Sequence, residues 1–241
     1  MCGRYVSKDE RALEREIFLN IRRWPRWEGS FNIAPTQLAP VVIATPDGYV
    51  CELMRFGLVP YASRGQAPVY NTINARVEHL QTGACWRGPW QRGQRCLVLA
   101  SGFYEWHVLN DGQRKQPYLV RPVDQDSFAF AGLWDTSTAP DGSVTRSFAI
   151  VTLPASPLMA WVHNAKQREP ALLERADGER WLTGPSEQAR ALIKPYPDDR
   201  LLAHPVSTRV NSPEANDPEL VREAAPAAEL PASPAQADLF L

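Results

Sequence analysis

The stretch "PVVIATPDGYVCELM" (residues 40–54) sets two runs of aliphatic, β-branched and aromatic residues on either side of Pro46-Asp47-Gly48. Proline presets φ at the start of a turn and glycine accepts the positive φ that a tight reversal needs, so the stretch predicts a β-hairpin. The same composition recurs further along the chain. "RCLVLA" (95–100), "FYEWHVL" (103–109), "QPYLVRP" (116–122), "SFAFAGLW" (127–134) and "SFAIVTL" (147–153) are short runs of this kind, separated by Gly, Pro, Asp or Asn. Helices are expected outside this block. "DERALEREIFL" (9–19) brings Leu13, Ile17 and Phe18 near one face, with Ser7 and Glu10 as a capping box. "PASPLMAWVH" (154–163) and "PSEQARALI" (185–193) are the later candidates. Strands in the middle and helices outside predict an α+β fold: one domain on a mainly antiparallel sheet or barrel, with peripheral helices.

The chain has 241 residues, 44% of them hydrophobic and 22% charged, enough for one substantial core or two small ones. Its apolar runs are too short and interrupted for a membrane span. The densely charged "SKDERALEREIF" (7–18) is not a signal peptide. Cys2, Cys51, Cys85 and Cys96 form no CxxC or Cys/His pair at zinc spacing. They are expected as reduced thiols in a cytoplasmic protein, with no metal and no cofactor. Net charge is −1, yet residues 1–96 carry thirteen Lys and Arg against eight Asp and Glu. That asymmetry permits a local site for an anionic ligand. From residue 223 the chain becomes Ala/Pro-rich, which predicts a body at 1–222 and a disordered tail at 223–241.

Several short segments carry polar groups with chemical potential. "MCGRY" puts Cys2 directly after the initiator, so loss of Met1 would leave an α-amine and a thiol on adjacent carbons of one residue, with Arg4 two residues on. "INAR" places Asn74 and Arg76 on one side of an extended segment. Glu105 lies between Tyr104 and Trp106 in "GFYEW". It is either a solvent-face residue or a carboxylate with a raised pKa suited to acid/base work. His163 ends an apolar helix, where a lone histidine is more often structural than catalytic.

Taken together, "MCGRY", "FNIAPTQ" (31–37), "INARVE" (73–78), "RCLVLASGFYEW" (95–106), "VHNAKQREP" (162–170) and "HPVSTRVN" (204–211) resemble the SOS-response-associated peptidase (SRAP) family in order and spacing. The resemblance runs from Met1 to about Arg222. It implies a monomer, nucleoid-associated in the cytoplasm, that crosslinks itself to abasic sites in single-stranded DNA through a Cys2 thiazolidine. By motif, the resemblance implies that Asn74 orients the amine or the sugar and that Glu105 is the acid/base. It also implies that His163 acts near the sugar hydroxyl and phosphate, and that Arg4 and Arg76 clamp flanking phosphates, with Arg168 and Tyr61 also on the DNA.

Two departures stand out. Phe56 and Tyr61-Ala62 fall where members carry tryptophans in a "WGLIPxW"-like segment, and Glu169 replaces the methionine of an "RMP" segment. The rival readings are an N-terminal-nucleophile amidohydrolase such as a glutamine amidotransferase, which also begins Met-Cys-Gly, a peptidase, and a DNA-binding module without catalysis. Finally, "QADLFL" (236–241) resembles the peptide by which bacterial repair proteins dock on the sliding clamp, with Gln236, Leu239 and Phe240 as anchors.

Overall fold

In the computed structural model, residues 2–17 and 19–228 are described. In chain order the strands are β1 (Arg4–Ser7), β2 (Ser30–Ile33), β3 (Leu38–Thr45), β4 (Gly48–Phe56), β5 (Asn74–Arg76), β6 (Arg95–Ala100) and β7 (Gly102–Val108). There follow β8 (Lys115–Pro122), β9 (Phe128–Thr138), β10 (Val144–Pro154), β11 (Arg168–Pro170), β12 (Leu172–Leu173) and β13 (Leu201–Pro205). The helices are α1 (Glu10–Glu16), α2 (Arg87–Gln91), α3 (Pro157–Val162), α4 (Gly178–Thr183) and α5 (Ser186–Ala191).

The predicted hairpin is β3 and β4, antiparallel from Leu38↔Arg55 to Thr45↔Gly48, with Gly48 at φ +117° as the turn requires. The strands β10, β4, β3, β6 and β9 pair in sequence, and β9 pairs back to β10, so the sheet closes into a small barrel. A second, five-stranded sheet runs β13-β8-β7-β1-β2. Among the described residues, all strand-to-strand pairings are antiparallel except β10 with β4 and with β5. The fold is therefore α+β on a mainly antiparallel core.

Every residue of β6 is buried, because its two faces meet different apolar clusters. Cys96, Val98 and Ala100 face one core with Phe56, Phe130, Phe148 and Tyr5, while Leu97 and Leu99 face another with Trp181 and Leu182 of α4. A strand buried on both faces loses polar alternation, which is why "RCLVLA" reads as a continuous apolar run. Gly132 lies opposite Cys96 in this barrel, and a Cβ there would come within 2.7 Å of the Cys96 Sγ. The barrel needs glycine at that position for close strand approach.

The capping-box expectation needs correcting. Ser7 ends β1, paired with Ser30, and is held extended, so the helix start moves two residues on. Asp9 is the N-cap of α1, accepting from the Ala12 N–H at 3.1 Å. Leu13 is buried and Ile17 half-buried as expected, while Phe18 lies outside the described residues. Residues 223–228, the start of the expected tail, are hydrogen-bonded to the body. Ala224 N–H donates to the Pro205 carbonyl (2.9 Å) and Ala227 N–H to Gln116 Oε1 (2.8 Å). Gln236, Leu239 and Phe240 lie outside the described residues. Among the described residues no helix is long and apolar enough to cross a membrane, and no group of three or more His, Cys, Asp or Glu is arranged to hold a metal ion. All four cysteines are free and buried.

Candidate active site

The two sheets meet at one end of β1. The register Arg4↔Tyr104 carries Cys2, two residues earlier, out alongside the continuing β7 strand that holds Glu105. From the barrel side, β5 pairs with β10 through Ile150↔Asn74 and presents Asn74 to the same place. The helix α3 ends at His163, whose N–H bonds the Met159 carbonyl at 2.8 Å. Cys2, Asn74, Glu105 and His163, spread over more than 160 positions of sequence, thus form one buried cluster.

Asn74 Nδ2 donates to the Cys2 carbonyl at 3.1 Å. The Asn74 Oδ1 is buried and finds no donor among the described residues. An amide oxygen in that position is a receptor for an N–H brought by another group. His163 Nδ1–H donates to the Arg168 carbonyl at 2.9 Å, which fixes the neutral tautomer and turns Nε2 toward Glu105 Oε2, 3.8 Å away.

Burial pushes the Cys2 thiol well above its ordinary pKa, and the nearby Glu105 adds to the rise. Burial also lowers the His163 pKa, with Glu105 opposing it. The site therefore rests at neutral pH with a protonated thiol and an uncharged imidazole, beside a carboxyl group within reach of both. This set can pass protons among a nucleophile, an amine and a bound carbonyl compound. It has the composition of an acid/base site with a guarded nucleophile.

The expected phosphate ligands are placed differently from one another. Arg4 donates to Asn32 Oδ1 (3.0 Å) and to the carbonyls of Val210 (2.8 Å) and Asn211 (3.0 Å). Asn32 is itself buried and donates to the Ser212 and Ala215 carbonyls at 2.9 and 2.8 Å. This knot ties "FNIAPTQ" and "HPVSTRVN" to "MCGRY", and Asn32 was missed as a site-supporting residue. Its one sequence signal is a polar amide between Phe31 and Ile33. Arg168 is bidentate on Glu78 and also reaches the Thr152 carbonyl at 2.9 Å; the pairing holds the Glu78 carboxyl down at about 2. Arg76 is paired with Thr152 through its backbone but exposed, and its guanidinium has no hydrogen bond or ion pair among the described residues. Tyr61 is 68% exposed at the start of a single 3-10 turn. Phe56, in contrast, is fully buried, stacked on Phe148 at 5.2 Å.

Glu169 faces inward. It is buried on β11 and accepts from the Ser156 N–H at 2.7 Å, while Asp198 accepts from the Leu158 N–H at 2.9 Å. Together with Ser156 Oγ, which accepts from Met159 N–H at 3.3 Å, these groups satisfy the first turn of α3, the helix that ends in His163. Burial raises the Glu169 pKa above the ordinary glutamate value. The folded state thus holds this proton more tightly than the unfolded one, and stability falls as pH climbs from the ordinary glutamate pKa through the raised one. Thermal melts should show Glu169→Gln losing less stability than wild type across that window. Parallel curves would contradict this account.

A family model described as SOS response associated peptidase (SRAP) matches residues 1–213. The abasic site processing protein YoqW of Bacillus subtilis is 31% identical over 227 residues, covering 92% of this chain and 99% of that protein. The abasic site processing protein HMCES of Xenopus tropicalis is 32% identical over 239 residues, covering 82% of this chain and 69% of that protein. Among solved structures, a protein from Bacteroides thetaiotaomicron superposes with a TM-score of 0.78 at 22% identity, over 93% of this chain and all of that one. At that identity the superposition speaks for the fold.

Proposed function

The chain belongs to the SOS response associated peptidase (SRAP) family, and from that premise we propose that it processes abasic sites in single-stranded DNA by covalent capture. The reading rests above all on the convergence of Cys2, Asn74, Glu105 and His163 in one buried cluster. Removal of Met1 frees the Cys2 α-amine. The amine attacks C1′ of the ring-opened sugar aldehyde, and the carbinolamine loses water to give an imine. The Cys2 sulfur then adds to the same carbon, its proton passes to the nitrogen, and a five-membered thiazolidine closes.

Each side chain has a task in that sequence. Asn74 Oδ1 accepts from the α-amine and aims its lone pair. Glu105 supplies and removes protons as the sugar opens and water leaves. His163, neutral at rest, accepts a proton through Nε2 near the sugar hydroxyl and phosphate. Exposed Arg76 meets phosphate directly, whereas Arg4 and Arg168 do so with guanidinium groups already oriented by protein acceptors. Tyr61 offers a face for stacking.

Incubating the chain with abasic single-stranded DNA and measuring intact mass tests the reading. The expected product has lost Met1 and gained the DNA less one water. Glutaminase activity with no adduct would support the amidohydrolase instead. The body at 1–222 does this chemistry without a cofactor, as a monomer in the nucleoid-associated cytoplasm. The 223–241 segment tethers it to the sliding clamp through Gln236, Leu239 and Phe240. Clamp pull-down should fall at least about tenfold for Leu239→Ala/Phe240→Ala, since two apolar anchors are lost. Equal recovery would remove the clamp from the account.

A further inference from the structure

Trp161 lies on α3 two residues before His163 and is 50% exposed, an unusual position for an indole held so firmly. The His107 ring lies 4.8 Å from it, tilted 37°, and Tyr118 meets it edge-on at 5.2 Å. His107 Nδ1–H donates to the Trp161 carbonyl at 2.7 Å. Asn164 closes the corner by bonding both the N–H and the carbonyl of Val108, at 2.9 and 2.8 Å. One side of the indole is therefore covered by rings, and the remainder faces solvent.

The position relative to the candidate site follows from strand geometry. Glu105 and His107 are two apart on β7, so they share a face and stand about 7 Å apart along the strand. Tyr118 lies directly opposite Glu105 in the β7–β8 register. The three rings thus form the outer rim of the wall whose buried part carries Glu105 and His163. Exposed Lys115 begins β8 at this edge, and exposed Lys166 follows two residues after Asn164.

We propose that the open face of Trp161 stacks on a nucleobase next to the lesion, so that this trio is a second contact point for the damaged strand. The inference builds on the DNA reading above. On that reading, a strand whose sugar meets Cys2 lies beside β7, the strand that carries this rim. A pre-held aromatic face loses little side-chain entropy on binding, and flanking lysines favour a polyanion over an apolar peptide. Stacking reads no base identity, which suits a site defined by a missing base.

The test is equilibrium binding, by fluorescence anisotropy, to single strands carrying a tetrahydrofuran abasic analogue that cannot crosslink. A second set of strands also lacks the base immediately 5′ or 3′ of the analogue. Wild type should lose roughly 5- to 150-fold in affinity when one of those bases is removed, the range for a single base–aromatic stack. Trp161→Ala should bind the intact strand that much more weakly and show no further loss when the base is removed, while Trp161→Phe should retain most of the affinity. Unchanged binding by Trp161→Ala, or losses that simply add, would overturn the proposal. Adduct formation by wild type on a reactive abasic strand, run in parallel, separates the two failures. If the adduct forms and Trp161→Ala is indistinguishable from wild type, only the stacking role falls; if no adduct forms, the function itself falls.

Discussion

Cys2→Ser will yield no heat- and SDS-stable adduct with abasic single-stranded DNA, and neither will a chain with one extra residue placed before an intact Cys2. The two changes remove different halves of one reagent. Serine keeps the amine, so an imine still forms but stays hydrolysable, because a hydroxyl at neutral pH is a far poorer nucleophile than sulfur. The extra residue keeps the thiol but converts the amine to an amide, so no imine forms at all. Holding amine and thiol on adjacent carbons makes ring closure intramolecular, and such arrangements reach effective concentrations of about 10⁵–10⁸ M. Loss of that advantage should take the adduct below detection on a denaturing gel. An adduct that survives either change rules out the thiazolidine.

Glu105→Gln should slow adduct formation by about 10²–10⁴-fold, some 3–5 kcal/mol of barrier, with DNA affinity changed less than threefold. Glutamine matches glutamate in shape, so the buried space between Cys2 and His163 stays filled, but it transfers no proton. The effect concentrates on sugar opening and dehydration, the two steps that move protons at carbon-bound oxygen. Removing the carboxyl charge also removes one cause of the high Cys2 thiol pKa, which by itself would favour the thiolate. A large net loss would therefore show that proton transfer by Glu105 outweighs its depressing effect on the sulfur. Single-turnover rates at saturating DNA, set against anisotropy-derived affinities, decide it. Weakened binding with an unchanged rate would demote Glu105 to a structural carboxylate.

How far these residues were legible from sequence varies for physical reasons. The hairpin at 40–54 and the strands that follow were readable because turn chemistry and β-branched composition act over a few residues. The α1 cap was misread because β1 pairing, a non-local interaction, holds Ser7 extended and transfers the cap to Asp9. Glu105 stood open between surface and site on strand alternation alone. Its burial depends on β7 lying between β1 and β8 with α3 across one face. Glu169, an added negative charge by sequence, turns out to serve the first turn of α3 from inside the protein.

The sequence by itself determined the candidate residues and the scaffold class: a cysteine at position 2, a set of polar residues in ordered motifs, and short strands of a mainly antiparallel sheet or barrel. Only the tertiary structure decided which charges are already committed. Arg4 reaches acceptors 206 and 207 positions away, Arg168 pairs with Glu78 across 90, and Arg76 stays exposed. Local propensity acts over one or two turns of chain, whereas an ion pair or a buried proton depends on groups that meet only once both sheets have closed on their cores.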